Sequence, residues 1–597
     1  MFLFSVSELT RSVSQPLLSR RVAQRGSQRM VHSSWVCGDF QIELASVGDR
    51  AAVVDASKLA TNGSLRLTVG TKLLGGPEGL PASGSWLELV IENAGEQIRL
   101  SRDPTGLKAA YFVRTPWGYL ISDHVPALLR CEEVSRTIDI EALAETWFLD
   151  FCVAPRTIWA DIRAVPAAHT AVLPLRGAAK PTYEQYYVPG RAAVGQPLAS
   201  ANAPQALRGV ILDETARSID ACADQPRVNL LSGGIDSSVV LAACHLLGAP
   251  PDYALCFKGE GDADESSLGA ATAARLGVRL EVVDSAGSNI LTDAEAIVET
   301  WAQPYAHGSV HAMQTMLSTI DESAALFTGD GGGEAFVGAP RSLPHGRWFI
   351  WPLTAMLGAA PSPVQRAMYR RLATWSHHAR ALAFGLELWS AMTEADRLLS
   401  TNPVTRWETA AVFGDDVAAW LNKASVARTL EALGDKTAYG GEALYARSLP
   451  FWRAPEGVYA KTWRLLDARG ITGIGPLTAP AFFDTVKRIP APSRGNRKQA
   501  LRDAFADVLP KEVCEAPKRG LRPLNRELLK RQADEGIGRL RETSSTVWND
   551  LFNQDVLTDF WLAHRDGRVY RSNLLYKALI VRAWCDRWQP QLPENIV

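Results

Sequence analysis

Hydrophobic positions divide the chain into two parts with different periodicities. Between residues 35 and 100, short apolar runs rich in β-branched residues alternate with turns, which predicts β-strands at 40–44, 51–54, 65–69, 86–91 and 97–100. From about residue 200, a helical pattern at 206–221 precedes strand-like runs at 228–231, 253–257, 279–283 and 324–327, with helical spacing between them. Strands that alternate with helices in this way predict an α/β fold with a parallel sheet covered on both faces.

The length of the chain fits this division. A chain of 597 residues is longer than one domain, and 47% hydrophobic with 21% charged residues is typical of a soluble globular protein. We predict one domain at residues 1–190 and a second at 200–597. The second includes a helical lobe at about 340–450, which is rich in Trp and Arg. His377 and His378 in this lobe have no acidic or Cys partner at ligand spacing, so we assign them no metal.

Charge and cysteine content exclude several classes of partner. The formal net charge of −1 gives no reason to expect a nucleic acid, and no apolar stretch is long enough to cross a membrane. The eight cysteines form no CxxC pair, which argues against a zinc ribbon and predicts reduced thiols in a cytoplasmic protein.

The N-terminal segment allows three interpretations. Residues 11–29 carry five arginines and no acidic residue, which is a little like a transit peptide. The segment could instead contain a first strand followed by a solvated loop, or Met30 could be the true start. We favour the last two interpretations over the transit peptide.

A glycine-rich turn links the strand at 228–231 to the helical run at 239–247. Backbone N–H groups and the helix dipole at such a junction can hold an anion, and Gly233 and Gly234 allow a ligand to approach the backbone. Ser237 and Ser238 add hydroxyl donors in the first turn of the helix. Asp236 would repel a phosphate, unless Mg²⁺ lies between the carboxylate and the phosphate oxygens.

This turn, Ser232-Gly233-Gly234-Ile235-Asp236-Ser237-Ser238, resembles the SGGxDSS pyrophosphate loop of the ATP pyrophosphatases. No Lys follows the glycines, so it is not a GxxxxGKS loop. The resemblance implies that ATP is cut between its α and β phosphates while a carboxylate receives the adenylate. It also implies that Ser232 and the rest of the loop bind pyrophosphate, and that Leu231 and Phe257, at neighbouring strand ends, contact the adenine.

A second glycine-rich turn follows the strand at 324–327. Residues 328–336, Thr-Gly-Asp-Gly-Gly-Gly-Glu-Ala-Phe, resemble the SGEGADELF motif of asparagine synthetases. The resemblance places Gly329 at the nucleotide and gives Asp330 the role of the acid that helps to deprotonate the amine. The motif's Mg²⁺-binding Asp is replaced by Gly333. We expect Glu334 to join Asp236 at the metal, with Asp330 or a water as the alternatives.

The C-terminal part supplies cations that the same family uses. Lys498 precedes a run that resembles the family's LRkAf helix, which implies that its ammonium group neutralises charge on the α phosphate and on the oxyanion of amide formation. Lys518 and Arg519 resemble a loop that would close over pyrophosphate. We therefore expect Lys498 and Asp330 to be catalytic and Lys518 to bind ATP.

Residues 101–112, SRDPTGLKAAYF, resemble the RDPxGxKPLYY signature of the glutaminase domain of class II amidotransferases such as asparagine synthetase. The resemblance implies an αββα sandwich of the N-terminal-nucleophile type at residues 1–190. A working glutaminase needs a Cys directly after the initiator Met, and here that residue is Phe2. Cys37 is the one Cys that Gly follows, but it lies within a strand pattern. We expect an inactive glutaminase fold that is kept as a scaffold.

The combined resemblance implies ATP- and Mg²⁺-dependent amide formation between a carboxylate and an amine. Three kinds of enzyme fit: an ammonia-dependent asparagine synthetase, a β-lactam or carbapenam synthetase, and a lasso-peptide cyclase. We favour the cyclase because of the missing Cys, Asp330 in place of the Tyr of β-lactam synthetases, the divergent lobe and the chain length. Its expected partners are a peptide substrate and a leader-removing protease. A non-catalytic scaffold remains the alternative from another class.

Overall fold

The computed structural model describes residues 2–8, 30–37, 40–47, 65–92, 96–188, 197–258, 264, 266–284, 288–336, 399, 404–413, 426, 449–490, 497–516 and 525–594. Within those ranges, no helix combines the length and the apolar character that crossing a bilayer requires. Several predictions fall outside them: the strand at 51–54, most of the helical lobe at about 340–450 with His377 and His378, and both Lys518 and Arg519.

The N-terminal part is a sandwich of two antiparallel sheets. The six-stranded sheet has the order β2-β3-β1-β8-β7-β9 and the five-stranded sheet has the order β11-β10-β6-β5-β4. The strands are β1 Phe2–Glu8, β2 Met30–Cys37, β3 Phe40–Val47, β4 Leu65–Gly70, β5 Trp86–Glu92, β6 Gln97–Arg102, β7 Tyr111–Thr115, β8 Gly118–Ser122, β9 Arg163–Ala164, β10 His169–Pro174 and β11 Thr182–Gln185. The predicted strands at 40–44, 65–69, 86–91 and 97–100 are therefore confirmed.

Alternation of side chains explains how the two sheets pack. Every second residue of β6 is buried, and residues such as Ile98 and Leu100 meet Phe112 and Ile121 of the other sheet in one apolar core. Helices α1, Val125–Leu128, and α2, Ile140–Leu149, cover the outer face of the six-stranded sheet.

The first strand lies inside a sheet rather than at its edge. Residues of Phe2–Glu8 pair with β3 on one side and with β8 on the other. The prediction of a first strand is thus confirmed, whereas the loop predicted after it, at residues 9–29, lies outside the described ranges.

The C-terminal part is built on a five-stranded parallel sheet. Its strands are β12 Arg227–Leu230, β13 Tyr253–Lys258, β14 Leu280–Asp284, β15 Ala325–Phe327 and β16 Thr472–Ile474, in the order β14-β13-β12-β15-β16. Strands β13 and β14 are added in turn on one side of β12, and strands β15 and β16 are then added on its other side. Such a reversal leaves a crevice at the carboxyl ends of the two central strands, where ligands of open α/β sheets bind.

Helices cover both faces of this sheet. One face packs on α3 Ala203–Ala221, α4 Ile235–Leu246, α5 Ser266–Leu276, α11 Pro480–Arg488 and α12 Arg497–Asp503. The other packs on α6 Ile290–Trp301, α7 Val310–Leu317, α10 Ala460–Arg469 and the C-terminal α18 Ser572–Trp588. The remaining helices are α8 Gly332–Ala335, α9 Arg406–Phe413, α13 Lys511–Glu515, α14 Asn525–Arg531, α15 Ala533–Arg541, α16 Thr546–Leu551 and α17 Gln554–Arg565, with a π-helical segment at Leu449–Tyr459.

The predicted architecture, an antiparallel sandwich followed by a parallel α/β sheet, is confirmed. Helix α4 begins at residue 235, earlier than the predicted run at 239–247, because Gly234 already has the extended conformation of an N-cap. As a result, Asp236, Ser237 and Ser238 lie in the first helical turn, whereas Ser232 precedes the helix.

Candidate functional site

The two glycine-rich turns meet at the crevice between β12 and β15. These strands are hydrogen-bonded neighbours, so the turns that follow them leave the sheet side by side. A Cβ atom on Gly329 would lie 2.6 Å from the backbone nitrogen of Ser237. A Cβ atom on Gly332 would lie 2.5 Å from Oδ1 of Asp236. The lack of side chains at both positions allows the second turn to pack directly on the first turn of α4.

Hydroxyl groups hold the first turn in shape. The Ser232 amide donates to Oγ of Ser237 over 3.0 Å, and the Gly234 amide donates to Oγ of Ser232 over 3.1 Å. The hydroxyl of Ser238 donates to the Gly234 carbonyl over 3.0 Å. In this structure the three serines therefore order the turn itself, and their predicted contacts with pyrophosphate remain predictions.

A carboxylate and an ammonium group that are far apart in sequence are paired in the crevice. Lys498 Nζ, on α12, donates to Oδ2 of Asp236 over 2.7 Å, and about a fifth of each side chain is exposed. The other oxygen of Asp236, Oδ1, is buried and has no hydrogen-bond partner among the described residues. A buried carboxylate oxygen without a donor fits a divalent cation, since Mg²⁺ prefers such ligands. Asp236 is therefore suited to the predicted metal.

Asp330 lies half-buried in the same crevice. Its Oδ2 accepts a hydrogen bond from Trp463 Nε1 over 3.0 Å and one from the Thr328 hydroxyl over 3.4 Å. Burial raises the pKa of Asp330 to about 6, an effect that the nearby Lys461 ammonium partly opposes. A carboxylate with a pKa in this range can accept a proton near neutral pH, as a general base requires.

Glu334 points back to its own turn. Its Oε2 accepts a hydrogen bond from the Gly331 amide over 3.2 Å, at the start of α8. Gly331 has a φ of 95°, a left-handed conformation that glycine adopts without strain. The structure thus gives Glu334 a helix-capping contact, and its binding to a metal remains a prediction.

The predicted adenine neighbours lie at adjacent strand ends. Leu231 follows β12 and Phe257 lies in β13, and both side chains are buried. The Leu231 amide donates to the Leu255 carbonyl over 2.8 Å, which continues the ladder between the two strands. Their apolar side chains suit the face of a purine, and this contact stays a prediction.

Two aromatic residues at Asp330 were missed in the sequence. Trp463 donates to it, and Tyr459 is buried with a hydroxyl group that has no partner among the described residues. Burial raises the pKa of Tyr459 well above its ordinary value, and the Glu334 and Asp330 carboxylates raise it further. Tyr459 ends the π-helical segment, a kind of irregularity that is frequent at functional sites. The sequence could have indicated that the two aromatic residues act together, because a spacing of four residues places them on one helix face.

Family models match both parts of the chain. A model described as a glutamine amidotransferase domain matches residues 75–187, and a model described as asparagine synthase matches residues 211–589. No curated protein matches the chain. The second match covers more than half of the 597 residues, and it contains both glycine-rich turns and Lys498. The chain therefore belongs to the asparagine synthase family and is an ATP-dependent, amide-forming ligase that acts on a carboxylate and an amine.

Proposed function

We propose that this ligase closes the macrolactam ring of a lasso peptide. In this reaction the α-amine of a linear peptide is joined to the side chain of an Asp or Glu of the same peptide. The observation that carries the proposal is the position of Asp330, a half-buried base of raised pKa held by Trp463, in the crevice that contains the Asp236–Lys498 pair. One half of the crevice suits the activation of an acid, and the other half suits the acceptance of an amine.

The first step is activation of the peptide's side-chain carboxylate. A carboxylate oxygen attacks the α phosphorus of ATP, the bond to the bridging oxygen breaks, and pyrophosphate leaves. The turn at 232–238 would bind the leaving pyrophosphate through its backbone amides, because it stands at the N-terminus of α4. Lys498 would neutralise the charge on the α phosphate. Mg²⁺, bound through Asp236, would offset the charge of the phosphates.

The second step forms the amide. The peptide amine attacks the acyl carbon, the bond to the AMP oxygen breaks, and a proton leaves the nitrogen. Asp330 would take this proton, since burial holds its pKa near that of a useful base. Because amine and acyl group belong to one molecule, the site's main contribution is to hold them in attacking geometry.

Features of the first domain and of the second turn support a peptide over the rival substrates. The first strand, Phe2–Glu8, contains no Cys that could act as the nucleophile of a glutaminase. Asp330 differs from the Tyr of β-lactam synthetases. The seven cysteines whose side chains the structure describes form no disulfide, which agrees with the proposed cytoplasmic site of action. A leader-removing protease would supply the linear substrate.

The test is pyrophosphate release from ATP and Mg²⁺ with different acceptors. These are linear core peptides with an Asp or Glu at ring-forming distance, aspartate with ammonia, and a β-amino acid. We expect release with the peptide alone and a product lighter by one water. The matched control is the same peptide with an acetylated α-amine, which should still be adenylated but should give no ring. Release driven by a small amino acid would refute the cyclase and favour a rival synthetase.

A further inference from the structure

A loop of the first domain reaches the wall of the ligase crevice. Residues 102–108, here called the 102–108 loop, follow β6 and include the RDPTG sequence. Leu107 in this loop is fully buried, and it forms a small apolar core with Ala454, Tyr459 and Trp463 of the second domain. The two aromatic residues that flank Asp330 thus rest on a side chain of the other domain.

Buried charges fix the loop to the same wall. The Arg102 guanidinium, 1% exposed, donates to the carbonyls of Lys108, Gly106 and Val165 and forms an ion pair with Glu456. Glu456 lies in the π-helical segment that ends at Tyr459. Such a pair, once desolvated, holds its partners in one geometry, because separation would leave a buried charge unpaired.

Two further contacts join the loop to α10, the helix that carries Trp463. Arg464 Nη1 donates to the Leu107 carbonyl over 3.1 Å. Lys108 Nζ lies 2.7 Å from a carboxylate oxygen of Asp467 and 3.0 Å from one of Asp123. The loop is therefore tied to the middle and the last turn of α10 as well as to the π-helical segment before it.

The fit at the tip of the loop allows only glycine. A Cβ atom on Gly106 would lie 2.8 Å from the Cβ atoms of both Ala167 and Pro455, and its φ of 68° is left-handed. Pro455 belongs to the π-helical segment, so the backbone of one domain touches the structure that orients Tyr459.

We infer that the 102–108 loop is a positioning element of the ligase site, which holds Tyr459 and Trp463 so that the Tyr459 hydroxyl and Asp330 receive the substrate amine. The buried hydroxyl of Tyr459 has no partner among the described residues, and it is a polar group that this wall offers to a ligand. The inference rests on the proposed function, and it gives the first domain a part in amide formation that needs no glutaminase activity.

The residues that we assign to adenylation and those that we assign to amide formation lie on different elements of the second domain. Asp236 and Lys498 lie on α4 and α12, which pack in a core of the second domain. Adenylation should therefore be insensitive to the loop, whereas attack by the amine should depend on it. A change that merely unfolded the protein would abolish both.

The experiment compares ATP–pyrophosphate exchange, which reports adenylation, with ring closure of the same linear peptide. For Leu107→Ala we expect exchange within about twofold of the wild type and ring closure slowed about 100-fold, since a misplacement of about 1 Å has that effect. Leu107→Met, which nearly conserves volume, should restore closure. The matched control is Leu173→Ala, an equally buried leucine in the sandwich core, which should leave the ratio of the two rates unchanged.

Tyr459→Phe provides a second variant if Leu107→Ala does not fold, because it removes one oxygen that has no partner among the described residues. It should also slow closure selectively. Equal loss of both rates in each variant, or no loss in either, would overturn the inference. Should the wild type activate a small amino acid and no peptide, the proposed function would fall. The ratio of exchange to amide formation with that acceptor would then decide the inference.

Discussion

Replacing Gly332 by Ala should lower the catalytic rate without lowering the stability of the fold. The added Cβ would lie 2.5 Å from Oδ1 of Asp236 and 2.6 Å from its Cγ. Ordinary carbon–oxygen contacts begin at about 3.4 Å, so the carboxylate must retreat by roughly 0.9 Å. This displacement would move the carboxylate out of the position in which Oδ2 accepts the 2.7 Å hydrogen bond from Lys498 and in which Oδ1 would bind a metal. A misplacement of about 1 Å in a catalytic group lowers rates about 100-fold, or about 2.7 kcal/mol of transition-state stabilisation.

The fold should tolerate the same change. Gly332 lies in α8 without a left-handed φ, so alanine suits its backbone and should stabilise the protein by about 0.4–1 kcal/mol through the unfolded state, less any strain from the clash. The assays are pyrophosphate release and thermal unfolding. Gly209→Ala is the matched control, since it makes the same change in helix α3 with no atom within 4 Å of the new Cβ. Wild-type turnover by Gly332→Ala would refute the placement of Asp236 in catalysis.

Three further predictions concern the cation, the base and a buried ion pair. Lys498→Met should lower the rate of ATP–pyrophosphate exchange about 10²–10³-fold, because it removes a cation from the developing charge on the α phosphate. Amide formation should fall about tenfold per pH unit below pH 6, since burial raises the pKa of Asp330 to about 6 and only its deprotonated form accepts a proton; a pH–rate profile measures this. Glu408→Ala should lower the free energy of unfolding by about 3–5 kcal/mol in urea titrations, because it leaves the buried Arg571 guanidinium without its carboxylate, 3.0 Å away.

Each of these predictions has a control within the chain. Lys511→Met changes a largely exposed lysine and should leave exchange intact. ATP–pyrophosphate exchange measured over the same pH range should show no fall near pH 6. If exchange fell together with amide formation, the pH dependence could not be assigned to Asp330 as the base of amide formation. Asp555→Ala breaks an exposed ion pair with Arg541 and should barely change the free energy of unfolding. If Asp555→Ala and Glu408→Ala lowered it equally, burial of the ion pair would not be the reason for the effect.

The sequence was sufficient for the architecture and for the location of the crevice. Strand and helix periodicity predicted a parallel sheet, and in such a sheet the turns after neighbouring strands meet at one edge. Asp236 and Asp330 each follow a strand within a few residues, so their placement depended only on short-range structure and strand order. The sandwich was equally accessible, because β6 alternates strictly between buried and half-buried positions.

Contacts between segments far apart in the sequence could not be predicted from local patterns. Lys498 is 262 residues from Asp236, and the Trp463 indole is 133 residues from the Asp330 carboxylate that it contacts. The contact of Glu334 with the Gly331 amide likewise depends on the conformation of one short turn, and its binding to a metal stays a prediction.

The sequence by itself therefore determined which elements form and where the crevice between the two glycine-rich turns opens, since propensity and periodicity are local properties of the chain. Only the tertiary structure decided that Leu107 of the first domain supports Tyr459 and Trp463 of the second. That contact depends on side-chain volumes and on the desolvation of the charges around Arg102, which exist only once the two domains are packed together.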